Sequence, residues 1–166
     1  MRRSMLFILF LSLSVASFAL MKKASCDPGG PYLQRTVMSG EAQTIYDSDD
    51  VVELHGTLYD KHSWEKIDGV VESYSDSGVL LQELVCVDGR PNGISWEYYD
   101  SGVLKSEISY RDGLYDGLSI LYYETGGLAL EVPSRNDLLH GTMIRYNQDG
   151  SIVLQERYVD GVLQEE

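Results

Sequence analysis

The stretch NGISWEYYDSGVLKSEISYRDGLYDG, running from Asn92 to Gly117, decides the fold. Apolar residues fall at alternate positions through Ile94, Trp96 and Tyr98, and again through Leu104, Ile108 and Tyr110. Alternation with a period of two over about seven residues predicts a strand with one covered face. Between the two runs lies Asp100-Ser101-Gly102, whose glycine accepts the positive φ of a short hairpin loop. The segment from Arg111 to Gly117 then makes a longer return. The stretch is predicted to be one β-hairpin followed by the start of another.

Working outward, the same spacing recurs. Gly78, Gly102, Gly126 and Gly150 keep a step of 24 residues, as do Gly69, Gly93, Gly117 and Gly141, and Tyr74, Tyr98, Tyr122 and Tyr146. A further column holds Gly89, Gly113 and Gly161, with Asp137 in the third place. These columns define four units, 69–92, 93–116, 117–140 and 141–164. The expected fold class is all-β, an elongated antiparallel meander of consecutive β-hairpin repeats with a 24-residue period. Its inward columns are expected to hold Trp96, Ile120 and Ile144; Leu80, Leu104, Leu128 and Ile152; Leu84, Ile108, Val132 and Glu156; and Cys86, Tyr110, Ser134 and Tyr158. Glu156 and the closing Leu-Gln-Glu-Glu supply a polar edge, which an open sheet requires. Residues 51–68 read as a divergent opening repeat, and 20–50, rich in Gly, Pro and acidic residues, as a linker with little regular structure.

The N-terminus is an address. Arg2 and Arg3 precede an apolar run from Met5 to Met21, and Ser17-Phe18-Ala19 offers small residues for cleavage, so 1–19 reads as a secretory signal peptide. The run can instead be retained as an anchor to about residue 23, or the chain lipidated at Cys26. All three place the mature protein outside the cytoplasm, in the periplasm, the cell envelope or the medium. An oxidising compartment allows a Cys26–Cys86 disulfide, but Cys86 falls in an apolar column and reads better as a core residue.

Composition narrows the function. With 13 basic against 26 acidic residues, the net charge of −13 repels phosphate backbones, so nucleic acid is excluded as a partner. Membrane contact is expected only through the N-terminal segment, because the repeats carry no basic cluster. Asp47-Ser48-Asp49-Asp50 with Glu53 lacks the spacing of a calcium loop, and His55, His62 and His140 lack the spacing of a zinc site. No nucleophile, zinc-protease, dinucleotide or phosphate-loop motif is present. The expectation is a protein that is not an enzyme and holds no cofactor and no metal.

The candidate site is instead a surface. Glu83, Glu107, Glu131 and Gln155 form one column, expected on the face opposite the inward columns, with Glu97, Tyr99 and Tyr123 beside it. Carboxylates for steering and tyrosines as anchors suit a basic protein partner. The competing reading is a solvated face of a one-sided sheet. Glu83, Glu97, Tyr99, Glu107, Tyr123 and Glu131 are the expected partner-binding residues.

The repeat resembles the MORN-repeat family in its shorter-hairpin bacterial variant. Gly93, Tyr98, Tyr99, Gly102, Leu104, Tyr110 and Gly113 carry the likeness, and Gly117, Tyr122, Tyr123, Gly126 and Leu128 repeat it. The fourth unit has Asn147 at the second tyrosine position, and the third has Ser134 and Asp137 in place of Tyr and Gly. The resemblance implies a scaffold or protein-binding role, or alternatively an antitoxin-like or immunity component of a toxin–antitoxin system. Export confines the second role to an immunity protein of the envelope.

Overall fold

The computed structural model describes residues 43–165. The predicted signal segment, Cys26 and most of the predicted linker lie outside the described residues. Strands β1 (Ile45–Asp47), β2 (Val51–Leu54) and β3 (Thr57–Asp60) open the chain, with a 3-10 turn at Ser48–Asp50. Then come β4 (Gly69–Tyr74), β5 (Leu80–Val87), β6 (Arg90–Pro91), β7 (Gly93–Tyr98), β8 (Leu104–Arg111) and β9 (Leu114–Tyr115). The series closes with β10 (Gly117–Tyr122), β11 (Leu128–Arg135), β12 (Leu138–Leu139), β13 (Gly141–Tyr146), β14 (Ile152–Val159) and β15 (Val162–Leu163). The sheet runs β1-β4-β5-β7-β8-β10-β11-β13-β14-β15, with β6, β9 and β12 paired beside it, and it stays open. The all-β hairpin meander expected from the repeat is therefore what the chain forms, with one addition. Residues 45–50, read as linker, supply the parallel edge strand β1 and the 3-10 turn.

Two turn types alternate and explain the glycine columns. At one end of each hairpin, Tyr99 N–H donates to Val103 O and Gly102 N–H donates to Tyr99 O, both at 2.8 Å, and Gly102 sits at φ +79°. The same pair of bonds recurs from Ser75, Tyr123 and Asn147. At the other end, two-residue turns have both central residues at positive φ: Asp112 and Gly113 at +51° and +84°, Asn136 and Asp137 at +50° and +66°. This hairpin turn matches the right-handed strand twist, and Asp tolerates the left-handed region well enough to replace Gly at 137. The second turn residue also ties units together. The amides of Gly89, Gly113, Asp137 and Gly161 donate to the carbonyls of Ile67, Pro91, Tyr115 and Leu139 in the preceding unit.

Each unit contains two irregularities. A bulge shifts the register between Glu97 and Tyr98, so that Glu97 faces Ser106 but Tyr98 faces Leu104. Bulges at Tyr74, Tyr122 and Tyr146 repeat it. One extra residue reverses the alternation of faces. Trp96 and Leu104 thus lie on one face, and Ser95, Ile108 and Tyr110 on the other. The four columns expected to point inward together are split between the two faces, a correction that period-two counting could not supply.

The second irregularity separates β6 from β7. Asn92 N–H donates to Val85 O at 2.9 Å, and Gly93 turns to φ +101° before the ladder resumes. The Val85 amide, left without a strand partner, donates to Oγ of buried Ser95 at 3.1 Å. Ser109 N–H donates in the same way to Oγ of buried Ser119 at 3.2 Å. In the next unit the acceptor position holds Met143, and the donor position holds Pro133, which has no N–H to satisfy. Acceptor and donor are lost together.

The core sits at the N-terminal end of the sheet. Hairpin β2–β3 forms a separate two-stranded sheet and brings Leu58 and Ile67 onto Val71 and Cys86, with Tyr46, Val51 and Leu84 packed around them. Cys86 is a buried free thiol, as its column suggested, and burial pushes its pKa up to about 12. Among the described residues the sheet beyond this clasp is a single layer, and its side chains are mostly half-buried.

Candidate functional site

Cross-strand partners share a face, so the register can be read across the sheet. One row runs Glu72, Glu83, Trp96, Glu107, Ile120, Glu131, Ile144 and Gln155. Carboxylates and apolar residues therefore alternate along a single row of a single face, called here the tryptophan face. This corrects the expectation that Glu83, Glu107 and Glu131 stand opposite Trp96, Ile120 and Ile144. Strand partners have the same orientation, and the antiparallel register pairs Trp96 with Glu107 directly.

The carboxylates are tied into the array by phenols from the following unit. Tyr98 Oη donates to Glu83 at 3.0 Å, Tyr122 Oη to Glu107 at 2.7 Å, and Tyr146 Oη to Glu131 at 3.1 Å. Tyr74 Oη donates to Glu72. Burial and the Glu131 carboxylate together push the Tyr146 phenol up from its ordinary value. Glu83 is buried, whereas Glu107 and Glu131 are half-buried and each receives its phenol on Oε1.

The remaining expected site residues lie elsewhere. Glu97 is on the opposite, serine-bearing face, where it accepts from Ser106 Oγ at 3.1 Å and pairs with Lys105 at 3.5 Å. Tyr99 and Tyr123 occupy the hairpin loops and reach forward. Their hydroxyls donate to the Tyr122 and Tyr146 carbonyls at 2.8 and 2.7 Å. The structure brings Glu83, Glu107 and Glu131 together and separates them from Glu97, Tyr99 and Tyr123.

Sequence reasoning did not single out Ile94 and Leu118 as exposed positions of the tryptophan face. Ile94 pairs with Ser109, and Leu118 pairs with Pro133, one step along the strands from Trp96 and Ile120. They are 44% and 47% exposed. The signal for Ile94 is present in its alternation with Trp96 and Tyr98, but alternation alone does not say whether an apolar strand position is covered.

The acidic turn at 47–50 is already occupied. Asp50 accepts from His62 Nε2 and Lys61 Nζ, both at 3.0 Å, and these partners hold its carboxyl below the usual range. Among the described residues no group of three or more His, Cys, Asp or Glu side chains is placed to hold a metal ion.

Residues 91–112 match the MORN repeat variant. The matched span starts at Pro91 of β6, contains β7 and β8, and ends in the turn at Asp112. The MORN-like register extends beyond it, since β10–β11 and β13–β14 repeat the β7–β8 pairing, including the bulge. No curated protein matches the chain.

Proposed function

We propose that this chain is an exported, non-enzymatic protein-binding module that docks a protein partner on its sheet. The observation that carries this reading is the uncovered apolar strip on the tryptophan face, where Ile94 and Leu118 are exposed beside Trp96 and Ile120. A contiguous exposed apolar patch rimmed by polar residues marks an interaction surface. The MORN repeat variant supports a repeat-built binding module in general terms. The N-terminal signal pattern supports export.

The test is recovery of bound protein from the exporting cell with the full chain as bait. Ile94→Ser with Leu118→Ser changes the exposed strip and leaves the phenol–carboxylate bonds alone. Loss of the captured partner is the expected result. A partner retained equally by the double variant removes this face from the proposal. Mass spectrometry of the mature N-terminus separates cleavage after Ala19 from retention or lipidation.

A further inference from the structure

The geometry of the tryptophan face narrows what can lie on it. Along the row, Trp96, Ile120 and Ile144 are each separated by one strand, as are Glu107 and Glu131. Strands are about 4.8 Å apart, so like residues recur about every 9.6 Å, with the other kind halfway between. An extended segment crossing the row presents same-side residues about 6.7 Å or 13.4 Å apart, and neither spacing fits. An α-helix presents one stripe through residues i and i+7, about 10.5 Å apart, with i+3 and i+4 falling halfway. That rhythm matches both the apolar and the carboxylate positions.

Charge fixes the chemistry of the stripe. Glu107 and Glu131 each receive a phenol on Oε1 and stay half-buried, partly open to a partner, and the chain as a whole carries −13. The half-heptad positions of the incoming helix should therefore be Lys or Arg, and the heptad positions apolar. From Trp96 to Ile144 the row spans four strand spacings, about 19 Å, or about 13 residues of helix.

We propose that the tryptophan face receives a basic amphipathic helix of a protein partner, laid across the strands over Trp96, Glu107, Ile120, Glu131 and Ile144. This rests on the protein-binding reading above and adds the conformation, charge and position of what is bound. Nothing in the row requires the helix to come from a particular protein. It requires a heptad of alternating apolar and basic residues.

The experiment uses the full chain with Trp64→Phe, so that Trp96 is the one remaining indole, and three synthetic 16-residue peptides. The first carries Leu and Lys at heptad and half-heptad positions. The second has Glu in place of Lys. The third has the composition of the first with Leu and Lys strictly alternating. Trp96 fluorescence and peptide circular dichroism are followed together. The heptad peptide is expected to shift Trp96 emission and gain helicity on binding, while the acidic peptide does neither. Glu107→Gln with Glu131→Gln keeps the phenol acceptors and should weaken binding about tenfold, as two partly desolvated ion pairs would. Equal or tighter binding by the alternating peptide, or equal binding by the acidic one, overturns the helix. A captured natural partner that responds to substitutions on the serine-bearing face, such as Leu121→Ser, but not at Ile94 and Leu118, also overturns it while leaving the protein-binding function standing. If no partner is captured at all, the functional reading fails, whatever the peptides do.

Discussion

Ser119 offers a direct measurement of what the inter-unit bulge requires. It is 5% exposed, and its Oγ accepts the Ser109 amide at 3.2 Å. Ser119→Ala removes the acceptor and leaves that amide facing the interrupted ladder. A stranded backbone donor costs about 1–3 kcal/mol when buried, and Ser109 is half-buried, so about 1.5 kcal/mol is expected. For a folded unit of this size that lowers Tm by about 6 °C. The same substitution made in a Ser109→Pro background should cost less than about 0.5 kcal/mol, since no N–H remains to be stranded. Proline is compatible with this position, because Pro133 occupies the matching place one unit later and pairs with Leu118. Ser109→Pro also breaks the 2.6 Å bond from Ser109 Oγ to Leu118 O, but that loss is common to both halves of the cycle and cancels. Urea unfolding of the four proteins, followed by far-ultraviolet circular dichroism, gives the coupling energy, expected near 1 kcal/mol. A cost for Ser119→Ala that is the same in both backgrounds, within about 0.3 kcal/mol, would refute the pairing of serine acceptor with bulge amide.

Three further outcomes are expected. At Gly89 an added Cβ would lie 2.6 Å from Thr57 Cγ2 and 2.7 Å from Leu58 O, whereas at Gly113 the nearest atom is 3.7 Å away. Both alanine variants meet the left-handed penalty of about 1 kcal/mol, but Gly89→Ala should cost about 3 kcal/mol and lift β2–β3. Faster thiol labelling of Cys86 in a Cys26→Ser background is the check, and equal labelling in the Gly89→Ala and Gly113→Ala proteins would sink the idea. Tyr122→Phe should cost about 1.5 kcal/mol by leaving Glu107 without its 2.7 Å donor, and Glu107→Gln should recover part of that loss, both read by thermal melting. Stability should also fall in alkali: burial raises the pKa of Cys86 to about 12 and pushes Tyr110 up as well. A raised folded value means the folded state holds the proton more tightly, so this contribution is complete below about pH 9 and lost as pH rises toward 12. Sheet circular dichroism should therefore weaken between about pH 10 and 12, and a sheet equally stable to urea at pH 9 and pH 12 would contradict it.

The repeat was legible because turn geometry leaves few residue choices. A glycine at 78, 102, 126 and 150 answers a positive φ in every unit, so spacing alone disclosed the hairpins. The faces were not legible in the same way. Alternation is parity counting, and one extra residue opposite Glu97 reverses parity in the middle of a strand without any compositional mark. A second signal was available in the sequence. Glu83 and Tyr98, Glu107 and Tyr122, and Glu131 and Tyr146 are each 15 residues apart, a cross-unit offset that places carboxylate and phenol on one face. The clasp of Leu58 and Ile67 over Cys86 could not be found by period, because β2–β3 does not share the 24-residue step. Nor did the sequence show that Ile94 and Leu118 stay exposed, since an apolar strand position reads the same whether or not something packs on it.

The ties between units join nearest neighbours. Each turn amide reaches back one unit, and Tyr99 and Tyr123 reach forward one unit. Under tension, such an array behaves as a zipper and not as a block. A pull across the strands from the β15 edge should load one hairpin at a time, with the clasped N-terminal end released last. Each release frees 24 residues, about 80 Å of extended chain, in exchange for about 10 Å of sheet. Stretched in this way, the molecule should lengthen in even increments at a nearly constant force, a consequence of units held chiefly by their neighbours.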